Sequence, residues 1–196
     1  MDALRRIGLN AGLEEHGTEQ SWNMVKMFFV GEPTVLPGRI RVKFEINVRE
    51  IESHRDLVSV PYSVASSWWS GQAQVQSFRV EELMGTRLRA LHQRRKGRDL
   101  LDLWIVLTTL APDDEEIVAA FHHYMASAAF TYQQFAETLK GKLGNADFRG
   151  DIDLLVAEPP EGYDVDAAAD LVMERLGSRL AGAPDLTRIR NGAWRT

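Results

Sequence analysis

Cysteine is absent from the 196 residues, which excludes disulfides, thiolate zinc sites and cysteine nucleophiles. No apolar run approaches the roughly 18 residues of a membrane span, and Met1–Leu13 has no apolar h-region of a signal peptide. A cytoplasmic protein that does not enter a membrane is expected. The nucleotide and nucleophile signatures G-x-G-x-x-G, G-x-x-x-x-G-K and G-x-S-x-G are missing. His122 and His123 are adjacent, so they diverge on a helix and cannot chelate as an i, i+4 pair. Lysine is scarce, with five against 18 arginines. The 44% hydrophobic and 26% charged fractions exclude a disordered chain, a collagen and a coiled-coil rod. The length suits one domain, or a compact core with an appended lobe.

The net charge of −5 hides an asymmetry. Arg87, Arg89, Arg94, Arg95, Lys96 and Arg98 fall within twelve residues that contain no acid, while the acids gather late, between Asp147 and Glu174. A basic patch on an acidic protein fits a local anionic ligand, such as a phosphate or an RNA backbone. It equally fits attraction between a basic helix and acidic neighbours in the same chain.

Periodicity divides the chain near residue 80. Residues 2–15 suggest a short amphipathic helix with Leu4, Ile7 and Ala11 on one face, and 24–30 reads as a strand. Residues 39–49 alternate strictly, with Ile40, Val42, Phe44, Ile46 and Val48 on one side and Arg41, Lys43, Glu45, Asn47 and Arg49 on the other, a strong strand signal. Further strands are expected at 57–60, 64–69 and 73–78. The period then becomes 3.6. A helix over 80–93 has Val80, Leu83, Met84, Leu88 and Leu91 on its apolar stripe, and a second spans 98–110. Pro112 ends it, and Asp113 with Glu116 reads as a capping box for a helix over 113–129. Thr131 caps a helix over 132–143, Gly144-Asn145 closes it, and a last helix spans 165–180. Strands followed by helices argue for an α+β fold, with an α/β core over 1–79 and a helical lobe over 80–196.

Three features could carry chemistry. The polar face of strand 39–49 is either a solvated sheet face or the wall of a wet site. Arg87 sits on or beside the apolar stripe, where a cation meets a carboxylate, binds an anion or snorkels to water. Asp99 and Asp102, three apart, share one helix face just after the basic turn, so they either join a salt-bridge network or act on a ligand. Asp151-Ile152-Asp153 imitates a metal-binding strand, but it follows the helical segments, so a helix start or surface strand is the expected reading. Trp68-Trp69 is expected to place one ring in the core and one at the surface.

The stretch Arg41-Val42-Lys43-Phe44-Glu45-Ile46-Asn47-Val48-Arg49-Glu50, then Phe78 with Glu81-Glu82-Leu83, then Gly85-Thr86-Arg87-Leu88-Arg89-Ala90-Leu91, and finally Gln93 to Trp104 through Arg94-Arg95-Lys96-Gly97-Arg98-Asp99, closely resembles the AbiEii/AbiGii toxin family of nucleotidyltransferases. The resemblance covers roughly residues 20–180 and is most specific over 78–104. It implies a nucleotidyltransferase-like fold with an incomplete mixed sheet, and the chemistry of bacterial type IV toxin–antitoxin and abortive-infection systems. A nucleotidyl group would pass from a nucleoside triphosphate, with Mg²⁺, to an RNA or protein acceptor. Glu45 matches the acidic residue of the family's third core strand and is the implied metal ligand. Asp99 matches the acidic residue after the basic turn, and Glu45 and Asp99 are the implied catalytic carboxylates. Lys43, Arg87, Arg94, Lys96 and Arg98 are the implied phosphate-binding cations.

The sequence departs from the family pattern in two ways. Arg87 stands where the family usually has Lys, and a guanidinium binds phosphate bidentately but does not replace a compact ammonium. Only 44 residues precede Glu45, and they hold neither a Gly-Gly or Gly-Ser phosphate turn nor an Asp-x-Asp metal strand. A family member lacking its N-terminal nucleotide-binding motifs, and inactive alone, is therefore expected. The alternative is a non-catalytic protein that binds a nucleotide, RNA or partner through the Arg87–Arg98 patch. Convergence of Lys43, Glu45, Arg87 and Asp99 on one cleft is expected. Loss of the first core strands would leave an unpaired, partly apolar sheet edge, so a homodimer or a complex is expected, and the resemblance implies a cognate antitoxin as partner.

Overall fold

The alternation within residues 40–47 becomes an antiparallel strand because an equally alternating neighbour supplies the other half of its core. The structure, a computed structural model, describes residues 2–10, 12–32, 37–48, 52–67, 69–125, 130–153 and 155–195. The chain divides into two compact units, Met1–Ser53 and His54–Thr196. In the first, helix α1 (Asp2–Asn10) precedes strands β1 (Glu14–Gln20), β2 (Met24–Gly31) and β3 (Ile40–Asn47), paired antiparallel in the order β1-β2-β3. Val25, Met27 and Phe29 of β2 are buried and face Ile46, Phe44 and Val42 of β3. Phe29 and Phe44 meet edge to face with ring centroids 5.5 Å apart, a favoured aromatic geometry.

Two expectations about this unit change. Helix α1 stops at Asn10 rather than near residue 15. Gly12, at φ +74°, turns the chain so that Glu14 onward can join the sheet. The strand it joins, β1, has the sequence Glu-Glu-His-Gly-Thr-Glu-Gln and is exposed along nearly its whole length, so no apolar alternation announced it. The side chains of Leu4 and Ile7, and residue Ala11, lie outside the described residues, as does Arg49.

The second unit opens with a hairpin of β4 (Val58–Ala65) and β5 (Ser70–Ser77). Residues 57–60 and 64–69 thus do not form separate strands. One strand runs through Pro61, and Ser66 to Trp69 is the turn, closed by the Ser66 N–H donating to the Trp69 carbonyl at 2.9 Å. Trp68 lies outside the described residues, and Trp69 is exposed. Among the described residues both sheets are antiparallel, so the expected mixed pairing is not seen, while the α+β class stands.

Helices then build the larger core: α2 (Val80–Gln93), α3 (Gly97–Thr109), α4 (Asp114–Met125), α5 (Tyr132–Leu143), α6 (Ala146–Arg149), α7 (Val165–Arg175) and α8 (Leu186–Ile189). Leu88, Leu91, Leu100, Leu103, Ile117, Phe121, Phe135, Leu139, Phe148 and Met173 are almost completely buried within it. The caps fall largely where the sequence put them. Asp113 accepts from the N–H groups of Glu115 and Glu116, although the Glu116 carboxylate turns to Arg55. Thr131 and Gln134 form a full capping box on α5. The expected helix over 165–180 ends at Arg175 and continues as a 3-10 turn at 177–179. Residues 126–129, expected to finish α4, lie outside the described residues.

The buried stripe of α2 is rotated from the expected one. Leu83 is exposed, and Glu82 and Gly85 face inward with Met84, Leu88 and Leu91. Gly85 allows α4 to approach closely, since a Cβ there would lie 2.6 Å from Ala120 Cβ and 2.9 Å from the Ile117 carbonyl oxygen. Glu82 is 1% exposed, and a buried carboxylate needs donors. It receives the backbone N–H groups of His54 (2.7 Å) and Arg55 (3.1 Å) and the Tyr124 hydroxyl (2.6 Å).

Candidate functional site

The basic turn between α2 and α3 is held by two carboxylates. The first is local. Asp99 lies in the opening turn of α3, where the helix dipole favours negative charge, and its side chain is wholly buried. Arg87 Nη1 donates to Asp99 Oδ1 at 2.9 Å. Arg94 donates to both oxygens, through Nε at 2.7 Å and Nη2 at 2.6 Å. Arg87 also reaches Asp102, Nε to Oδ2 at 3.0 Å. The shared face of Asp99 and Asp102 is therefore real, and the cation beside the apolar stripe meets both carboxylates. The bond to Asp99 raises the already high pKa of the Arg94 guanidinium further.

The second carboxylate comes from far along the chain. Asp151, in a 3-10 turn spanning Gly150–Ile152, has a side chain only 7% exposed. Arg98 grips it bidentately, Nε to Oδ2 at 2.8 Å and Nη2 to Oδ1 at 3.0 Å, and adds its backbone N–H at 3.3 Å. Lys96 Nζ lies 3.1 Å from Oδ1. The Arg98 guanidinium, ahead of the other contacts, holds the Asp151 carboxyl well below the usual carboxylate range. Asp151 thus lies in a 3-10 turn and receives Lys96 and Arg98, and the Asp151-x-Asp153 segment is not a strand.

Packing fixes the same turn from beneath. Gly97 starts α3 so close to α6 that a Cβ would lie 2.1 Å from the Phe148 carbonyl oxygen. Lys142 on α5 is 7% exposed. Its ammonium donates to the carbonyls of Leu91 and of His92, the latter at 2.7 Å, which satisfies acceptors that the end of α2 leaves open. Burial lowers its pKa to about 8. A surface cavity of about 400 Å³ borders Lys96, Arg98, Asp147 and Asp151.

Lys43 and Glu45 belong to the first unit. They lie on the exposed face of β3, where Glu45 Oε1 is 3.1 Å from Lys43 Nζ and 3.9 Å from Lys26 Nζ. The polar face of β3 is therefore a solvated, ion-paired sheet face. Arg87, Arg94, Lys96, Arg98 and Asp99 belong to the second unit. Glu82, Lys142 and Asp151 were not read from the sequence as anchors. Asp151 contacts Arg98 across 53 residues and Lys142 contacts Leu91 across 51, and neither pairing leaves a periodic signal.

The resemblance implies Mg²⁺, which takes oxygen ligands. Among the described residues, no group of three or more His, Asp or Glu side chains could hold a metal ion. Asp99 has both oxygens committed to guanidiniums, and Glu45 is paired with lysine. The donor set does not fit Mg²⁺, and no chemical step is assigned to it. No helix among the described residues is long and apolar enough to cross a membrane.

Fold and site define an α+β chain in which the basic turn between α2 and α3 is held by a buried aspartate. The family model described as nucleotidyl transferase AbiEii toxin, type IV toxin–antitoxin system, matches residues 7–171, and the chain belongs to that family. No curated protein matches it. A solved structure of a provisionally assigned nucleotidyltransferase from H. pylori is similar at 16% identity and a TM-score of 0.45, over 98% of this chain and 74% of that one.

Proposed function

We propose that this member of the AbiEii nucleotidyltransferase toxin family uses the turn between α2 and α3 to bind the phosphates of a nucleoside triphosphate. The supporting observation is that Arg87 and Arg94 are oriented by Asp99 while staying about 34% and 51% exposed, so each guanidinium keeps N–H groups for an anion. Arg is suited to this, because its planar fork matches phosphate oxygens. Lys96 and Arg98, oriented by Asp151, widen the patch, and Lys43 is the corresponding cation of β3. The parent reaction of the family, transfer of a nucleotidyl group to an RNA or protein acceptor in a bacterial cytoplasm, is the reading we adopt. Mg²⁺ is the cofactor of that parent reaction and a cognate antitoxin the partner that the toxin family suggests; Glu45 and Asp99 stand where the resemblance puts its carboxylates, but both are ion-paired in this chain. With Asp99 committed to two guanidiniums, the protein binds triphosphate weakly and does not transfer nucleotide alone.

The test incubates the purified chain with labelled nucleoside triphosphates, Mg²⁺ and total RNA, and measures triphosphate binding in parallel at low and high salt. Salt-sensitive binding that is lost in Arg87→Ala, with no label incorporated, is the expected result. Incorporation that disappears in Glu45→Ala would overturn the inactive reading. Binding unaffected by Arg87→Ala would overturn the phosphate site.

A further inference from the structure

The hairpin β4–β5 is amphipathic and carries no charge. Its register pairs Val58 with Ser77, Val60 with Val75, Tyr62 with Ala73 and Val64 with Gly71, and paired residues share a face. One face is therefore apolar, with Val60, Tyr62 and Val75 44%, 58% and 44% exposed. The other carries Ser59, Pro61, Ser63, Gln72, Gln74 and Gln76, and Ser59 Oγ donates to Gln74 Oε1 at 3.0 Å. Among the described residues the two strands pair with no third. An isolated two-stranded hairpin is marginal in water, and exposed strand edges are normally guarded by charge or proline.

The two edges are not equivalent. The Ser66 N–H to Trp69 carbonyl bond sets the phase of the ladder, which makes Pro61 and Gln74 a pair whose backbone groups point away from each other. Pro61 therefore blunts the outer edge of β4. On β5, Gln72, Gln74 and Gln76 turn their N–H and C=O groups to the open side, and Ser70–Ser77 contains neither proline nor a charged residue. We propose that the outer edge of β5 pairs antiparallel with β5 of a second copy of this chain, making a four-stranded sheet across a two-fold axis. A two-fold centred on Gln74 sets that residue against its own copy, so a charge there would meet a like charge. β5 has none. Glutamine amides on the polar face both donate and accept, so they are self-complementary. On the other face, Ala73 and Val75 of the two copies become neighbours and leave water. A heterologous partner strand would be favoured by complementary charge, and β5 carries none.

The experiment uses the full chain in analytical ultracentrifugation from about 1 to 100 µM. The wild type is expected to dimerise. Gln74→Pro, which removes one outward N–H and mirrors Pro61, is expected to raise the dissociation constant at least tenfold with an unchanged circular dichroism spectrum. Gln74→Glu and Gln74→Lys are each expected to be monomeric alone and to dimerise when mixed, which protects the test should the proline variant fold poorly. A wild type that stays monomeric throughout would overturn the proposal. So would a dimer that persists in Gln74→Pro and in both charged variants while Tyr62→Lys breaks it, since that pattern marks stacking of the apolar faces.

Discussion

Replacing Asp99 by Asn keeps the side-chain shape and removes its charge, which isolates the electrostatic role of the buried carboxylate. The wild-type side chain is 0% exposed and receives Arg87 at 2.9 Å and Arg94 at 2.7 and 2.6 Å. Removing one partner of a buried ion pair costs roughly 3–5 kcal/mol, mostly through the charge left behind. Two features of this site lower the figure. Arg94 is half exposed and can rehydrate, and Arg87 keeps Asp102 at 3.0 Å. The amide also retains one acceptor oxygen. The expected loss is about 2 kcal/mol, equivalent to roughly 4–8 °C in Tm for a chain of this size. Urea unfolding at pH 7, followed by the helical circular dichroism signal, measures it. A double-mutant cycle with Arg94→Gln should return a coupling of about 1 kcal/mol or more. A loss below about 0.5 kcal/mol, the range of ordinary surface substitutions, together with an additive cycle, would refute the view that Asp99 orders the guanidiniums.

Asp151 should show a pH signature. Its folded pKa is depressed by Arg98, so its contribution is present above the unfolded carboxylate value of about 4 and is lost as pH falls below it. The stability gap between wild type and Asp151→Asn should therefore be constant from pH 7 to 5 and shrink by pH 2.5. An equal gap at every pH would count against the ion pair. Lys142 shifts the opposite way. Its folded value of about 8 lies below the unfolded value of about 10.4, so the unfolded chain holds more protons between them. Wild type should then gain stability relative to Lys142→Gln as pH rises from 8 to 10, measured as paired Tm values. At pH 7, Lys142→Met, which leaves the Leu91 and His92 carbonyls without their donor, should cost about 1–3 kcal/mol, and Gln should recover part of that. Gly97→Ala should destabilise by about 1–3 kcal/mol through overpacking, because the new methyl meets the Phe148 carbonyl. A neutral result in chemical denaturation would show that α6 yields to it.

Local pattern was enough to locate much of the secondary structure. Period-two alternation located β3, period 3.6 located α2, and Asp113 and Thr131 marked helix starts because capping is a contact within three residues. It failed at β1, whose polar residues have no apolar face to declare, and at Leu83, whose place in the buried stripe of α2 was displaced by Glu82 and Gly85. The carboxylate partners of Arg87 were legible as a class, since Asp99 and Asp102 are close in sequence and on one helix face.

The sequence by itself determined the α+β class, the family and the identity of the cations around the turn after α2, because those rest on residue types at short, periodic spacings. Only the tertiary structure decided which carboxylate orients which cation. Lys96 and Arg98 close on Asp151 and Lys142 closes on the end of α2 because α5, α6 and the 3-10 turn after it pack against the α2–α3 corner. Such pairings across 50 or more residues depend on how the helices stack in space, which no local period records.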